Sequence, residues 1–169
     1  MDVSIRKFER TDIPKKVEWI NNPANNRFLH YDLPLCIEKT GKWFDAISTR
    51  TDRFDAVIEV DGIPVGTIGL LSIDHKNGKA EFYVAMGETV FKGKGVAAAA
   101  SRLLLRHAFE DLELNRIYLF TEVDNIPAQR LFERLGFERE GELRQDVLSH
   151  GCYANRFVYS YLKEKWQAC

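Results

Sequence analysis

Apolar and polar residues alternate along Val3–Phe8, the pattern of a strand with one buried face. Thr11 and Asp12 then offer a helix N-cap, with Pro14 in the first turn. The helix they open ends near Asn21, where Asn21-Asn22-Pro23 stops it, and Asn22–Pro34 reads as loop. Ile37, Trp43, Phe44 and Ile47 recur at helical spacing and predict a second helix over Cys36–Ser48. Three apolar runs follow, Phe54–Val60, Ile63–Ile73 and Lys79–Met86. They are separated by Asp61-Gly62 and Asn77-Gly78, both strong hairpin signals, so they predict three consecutive antiparallel strands. Gly95–Leu112 is rich in Ala and Leu on one face and predicts a long helix packed on a sheet. Ile117–Val123 predicts a strand and Ile126–Leu135 a short helix, with Gly136 in the C-cap position. Phe137–Val147 and Ala154–Lys163 close the chain as two strands around His150-Gly151.

The resulting order is β-α-α-β-β-β-α-β-α-β-β. Hairpins mixed with crossover helices predict an α/β (α+β) fold with a mixed, mostly antiparallel sheet of about seven strands and about four helices. The chain has 169 residues and contains neither repeats nor a linker, so residues 1–169 form a single domain in this reading.

A composition of 45 % hydrophobic and 29 % charged residues suits a globular domain. A net charge of −1, with basic residues interleaved among acids, leaves no footprint for nucleic acid. Three cysteines, Cys36, Cys152 and Cys169, form no CxxC pair or Cys/His cluster, so reduced thiols and no metal site are expected. No signal-peptide pattern and no apolar run of ~20 residues is present, and the expected location is cytoplasmic, away from membranes.

The chemistry concentrates in Phe91-Lys92-Gly93-Lys94-Gly95-Val96-Ala97-Ala98, which follows a strand and opens a helix. The first amides of a helix lack internal partners and the dipole favours an anion there. Glycine lets the backbone turn and approach a ligand, and Lys92 and Lys94 add positive charge, so a pyrophosphate is the natural guest. No Gly-Lys-Ser/Thr follows as in a P-loop, and Ala98 stands where a dinucleotide fingerprint needs its third glycine. Both absences argue against a nucleotide-binding regulator.

Lys92-Gly93-Lys94-Gly95-Val96-Ala97 resembles the Arg/Gln-x-x-Gly-x-Gly/Ala motif of the GNAT superfamily of N-acetyltransferases, with Lys92 replacing the usual Arg or Gln. Asn125–Phe137 is similar to that family's Asn-x-x-Ala-x-x-Leu-Tyr-x-x-x-Gly-Phe signature. Trp19–Pro23, Ala80–Val84 and Gly141–Arg144 look like the branch that acetylates ribosomal-protein N-termini, a branch that also acts on amino sugars, polyamines and antibiotics. The resemblance implies an acetyl-CoA-dependent enzyme that moves an acetyl group to a primary amine by direct attack in a ternary complex.

It also implies roles. Tyr83, Val84 and Met86 on a splayed strand would hold the pantetheine arm, with an N–H near Val84 polarising the thioester. The amides of Gly93, Lys94, Gly95, Val96 and Ala97, flanked by Lys92, would hold the pyrophosphate. Asn125 would reach the pantetheine or the reacting sulfur region, and Phe132 would line the cofactor. Glu81 is the first candidate for the base, set against a structural role as an ion-pairing anchor. His30, Tyr31 and Asp32 would meet the acceptor. Phe132 stands where the family usually has a Tyr that protonates the leaving thiolate, and phenylalanine has no proton to give. Water, or a residue from elsewhere such as Tyr153, is the candidate replacement. The same departure supports the alternative of a catalytically degenerate acyl-CoA-binding or partner-binding module. A final strand left exposed at the sheet edge would permit a homodimer.

Overall fold

The computed structural model describes residues 1–168; Cys169 lies outside them. Seven strands form one sheet: β1 (Val3–Lys7), β2 (Phe54–Val60), β3 (Ile63–Asp74), β4 (Lys79–Met86), β5 (Arg116–Glu122), β6 (Glu138–Ser149) and β7 (Cys152–Leu162). Their spatial order is β1-β2-β3-β4-β5-β7-β6, antiparallel throughout except for the β4–β5 pair. Six helices accompany them: α1 (Ile13–Asn21), α2 (Pro23–Asn26), α3 (Ile37–Ile47), α4 (Val96–Arg106), α5 (Ile126–Leu135) and α6 (Lys163–Gln167).

The turn chemistry explains two of the hairpins. Asp61 and Gly62 both have positive φ (50° and 80°), as do His150 and Gly151 (49° and 79°). That is the two-residue turn whose twist matches paired strands. The third turn is longer. Asp74 accepts the Asn77 N–H at 2.9 Å and leaves only Gly78 in the left-handed region.

Side chains alternate across the sheet, and each face has its own cover. Ala56, Ile58, Ile68, Leu70 and Phe82 meet Val96, Ala100, Leu104 and Ala108 and the α5 residues Phe132 and Leu135 in the main core. Val57, of opposite parity, packs with Phe8 and Ile13, bordered by Val17, Trp43 and Phe44 of α1 and α3.

Several predicted elements are revised. α2 lies inside the stretch read as loop, and Asn22 caps it by accepting the Ala24 N–H at 3.0 Å. α6 follows the last strand. The predicted Gly95–Leu112 helix is α4 followed by a π-turn over His107–Asp111, where the Leu112 N–H reaches back to His107 O at 3.0 Å. Asp12 does not cap α1 with its side chain. A 3-10 turn over Arg10–Asp12 precedes the helix, and the Asp12 carboxylate instead takes both Arg6 guanidinium nitrogens at 2.8 Å and the Glu9 N–H at 2.8 Å. The final strand, β7, is not the exposed edge: it lies between β5 and β6, and β6 is the edge. A long β6–β7 hairpin must fold back on β5, so the strand nearer the C-terminus becomes internal. No helix of the described residues is long and apolar enough to cross a membrane.

Candidate active site

β4 and β5 pair over only three positions, Lys79–Arg116, Ala80–Ile117 and Glu81–Tyr118. Beyond Glu81, β4 stays paired to β3 as far as Gly66–Met86, but its other edge is open. The Gly87 N–H donates to Val65 O at 2.8 Å, so it faces β3. No register shift interrupts β4 from Glu81 to Met86. Alternation then turns the backbone N–H and C=O groups of Phe82, Val84 and Met86 into the opening. Tyr83, expected among these, is turned the other way. Its backbone faces β3, and its hydroxyl donates to Asp55 Oδ1 at 2.8 Å. Phe82 takes its place.

Beside the opening lies the α4 N-terminus. Gly93 (φ 74°) and Gly95 (φ 81°) occupy left-handed conformations that only glycine adopts without strain. A Cβ at either would have nothing within 4 Å, so these glycines also leave open space in front of the loop. The first bond closed in α4 is from the Ala99 N–H to Gly95 O at 3.0 Å. No side chain caps the earlier amides of Val96, Ala97 and Ala98, which leaves them for an anion. Lys92 is spent locally: its Nζ donates to Ala24 O at 2.8 Å, and burial pulls its pKa down. Lys94 lies over the Phe91 ring, 5.9 Å from its centroid.

Asn125 is the N-cap of α5. Its Oδ1 accepts the Ala128 N–H at 3.3 Å, which leaves the Nδ2 donors for a ligand. Phe132 is buried at 6 % exposure, its ring among Phe82, Phe137 and Tyr159 at centroid distances of 6.0, 5.7 and 6.3 Å. It packs in the core against Phe82, whose backbone borders the opening. Tyr153 stands 70 % exposed in the β6–β7 hairpin, near its tip.

The opposite face collects charge. Register places Glu81, Tyr118, Phe120, Glu122 and Arg156 on one side of the sheet. The Glu81 side chain is half-buried and, among the described residues, makes neither an ion pair nor a hydrogen bond. Burial raises its pKa against a counteracting pull from Arg156, which suits a proton acceptor more than an ion-pairing anchor. Arg156 lies over the Phe120 ring at 4.7 Å and is held by Asp146 through its Nε at 2.7 Å.

His30, in the loop after α2, brings its Nε2 to 3.2 Å from Glu122 Oε1. Tyr31 is the loop's aromatic contact to Lys16, whose Nζ lies 5.8 Å from its ring centroid. Asp32, two residues after His30 in the same loop, is exposed and, among the described residues, enters no hydrogen bond or ion pair. The tip of the β6–β7 hairpin closes over this side, where the His150 Nε2–H donates to Arg27 O at 2.8 Å.

Sequence reasoning missed Glu122, Arg156 and Phe82. The signal for Glu122 was a charged residue at the end of a largely apolar strand, three positions before Asn125. Only the fold sets it beside His30, 92 positions away.

The chain was compared with known proteins. The acetyltransferase (GNAT) domain family matches residues 2–138. The spermidine N(1)-acetyltransferase of Escherichia coli is 30 % identical over 169 residues, covering 96 % of this chain and 89 % of its own length. A putative ribosomal N-acetyltransferase of Bacillus subtilis is 37 % identical over 113 residues, which span 67 % of this chain and 61 % of that protein. The crystal structure of spermidine N-acetyltransferase from Vibrio cholerae in complex with CoA and spermine superposes with a TM-score of 0.91 at 23 % identity, covering 98 % of both chains, a likeness of fold. The splayed strands, the uncapped helix amides and these matches agree: the chain belongs to the GNAT family of acetyl-CoA-dependent N-acetyltransferases.

Proposed function

We propose that this enzyme acetylates a primary amine of a small molecule by direct attack on acetyl-CoA held in the β4–β5 opening. The observation that carries the reading is the loss of β4–β5 pairing after Glu81, immediately beside the uncapped amides of α4. The pantetheine arm pairs with the free backbone groups of Phe82, Val84 and Met86, as an added strand would. The pyrophosphate takes the amides from Gly93 to Ala97. The Val84 N–H polarises the thioester carbonyl and Asn125 Nδ2 faces the sulfur region. Holding both reactants in attack geometry supplies much of the acceleration. With Phe132 buried and Tyr153 in the exposed hairpin, water protonates the departing thiolate.

The acceptor enters from the α1–α3 face. The His150–Arg27 contact narrows that entrance, which favours a slender amine over a folded protein's N-terminus. Glu81 and Glu122 favour an acceptor with more than one positive charge, in line with the spermidine-acetylating relatives. The exposed thiols of Cys36 and Cys152 support a cytoplasmic location. The free β6 edge supports pairing of two copies, which light scattering tests.

The test is titration calorimetry with acetyl-CoA followed by thiol-release assays against spermidine, spermine and short peptides with free N-termini. Binding with polyamine turnover and no peptide turnover supports the reading. Peptide turnover alone refutes the small-molecule assignment. Binding without any turnover leaves the acyl-CoA-binding module, which the buried Phe132 favours.

A further inference from the structure

We propose that His30 is the base that deprotonates the acceptor amine and that Glu122 is the residue that positions it. The inference rests on the acetyltransferase reading above and identifies a catalytic group within it.

Height along the sheet decides between this pair and Glu81. Glu81 is level with Tyr118 at the root of the opening. Val84, whose N–H faces the gap, is three residues further, about 10 Å at the rise of a strand. Glu122 is four residues beyond Tyr118, about 13 Å along β5. The His30–Glu122 pair therefore stands near the level of the polarising N–H, whereas Glu81 lies at the floor.

The pair is also built for the task. The Glu122 side chain is 7 % exposed, and its Oε1 receives no hydrogen bond among the described residues. His30 Nε2 lies 3.2 Å from that oxygen, in a contact not yet aligned as a hydrogen bond. Such contacts tighten when reactants bind. A carboxylate there selects the tautomer with the proton on Nε2 and leaves the Nδ1 lone pair for the substrate. The charged groups facing His30 are Glu122 from β5, Arg156 from β7 and His150 at the hairpin tip. Burial, together with Arg156 and His150, outweighs Glu122 and lowers the His30 pKa, which favours the neutral ring that a base requires.

The protons balance. One proton of the acceptor ammonium passes to His30 Nδ1, and the freed amine attacks the thioester carbon. The C–N bond forms and the C–S bond breaks. The second proton leaves the nitrogen through water to the thiolate, giving amide and free CoA thiol. His30 then returns its proton to solvent.

The experiment combines pH–rate profiles of wild type, H30Q, E122Q and E81Q with 15N NMR of the imidazole. H30Q is expected to lose 10²- to 10⁴-fold in kcat/KM with unchanged acetyl-CoA affinity. In E122Q the acidic limb should move to lower pH, because imidazolium loses its anion, and kcat should fall several-fold. The ring spectrum should show the Nε2–H tautomer and a titration that drops in E122Q. H30Q with wild-type kcat/KM, or loss of the acidic limb in E81Q instead, overturns the assignment. So does an Nδ1–H tautomer, or a His30 titration indifferent to E122Q. Failure of the wild type to bind acetyl-CoA strikes the parent reading, while the NMR result still decides the pair.

Discussion

Replacement of Lys16 should expose the cost of a buried ammonium. Lys16 lies on α1 at 7 % exposure, with its Nζ 3.6 Å from the Trp43 ring centroid and the Phe8 and Tyr31 rings at 5.5 and 5.8 Å. Asp55 would favour its charge, but Asp55 is already engaged in a two-point ion pair with Arg53 at 2.7 and 2.8 Å. Burial therefore dominates and depresses the Lys16 pKa from 10.5 to about 8. Between those values the unfolded chain binds the proton that the folded chain has released, so stability rises with pH across that window and the penalty is fully present below pH 8. From pH 7 to pH 10 the relief amounts to about 2 to 3 kcal/mol. The aromatic rings return a part of this at pH 7, about 1 to 2 kcal/mol. K16M keeps the length of the side chain and removes the charge. Urea unfolding of wild type and K16M at pH 7 and pH 10 isolates Lys16, because other titrating groups cancel in the difference. K16M should be more stable at pH 7 by about 1 to 2 kcal/mol, with the gap closing or reversing by pH 10. A K16M protein less stable than wild type at pH 7, with no pH dependence in the difference, would falsify the argument and show that the ring cage outweighs desolvation.

Three further substitutions test the site's supports. A Cβ at Gly87 would lie 2.2 Å from the Trp19 ring, which is 5 % exposed and tied to Glu88 at 2.9 Å, so G87A should cost about 1–3 kcal/mol in denaturant titrations. G95A meets open space but a φ of 81°, so about 1 kcal/mol of stability should be lost, with acetyl-CoA affinity by calorimetry falling at least about tenfold as the loop shifts. Burial raises the Asp12 pKa, but Arg6 and the Glu9 N–H more than offset it, and the net pKa is lowered. Its stabilisation is thus present above the ordinary carboxylate range and lost as pH falls through the depressed value. D12N should lower stability by about 1–3 kcal/mol at pH 7 and flatten the acid unfolding curve.

The sequence carried the local instructions in full where a few neighbours decide the outcome. Asp61-Gly62 and His150-Gly151 admit the positive φ that a two-residue hairpin demands, and both turns are present. The apolar spacing of Val96, Ala100, Leu104 and Ala108 defines a helix face, and Asn125 and Gly136 bracket α5 as its ends require. Two short motifs, read with that element order, were enough to identify the family. The tertiary structure decided everything that depends on residues far apart in the chain. Which strand edge is free, and where β4 parts from β5, follows from how α4 crosses the sheet and how the β6–β7 hairpin folds back. Parity then turned Tyr83 away from the opening and Phe82 toward it, a one-residue distinction invisible in composition. Lys16 reads as a surface lysine on an amphipathic helix until α3 and the sheet enclose it. Glu122 reads as an ordinary strand-end acid until a loop 92 residues earlier lays His30 beside it. Periodicity reports only which face a residue occupies; what waits on the other side of that face is set by chain crossings that short-range physics does not encode.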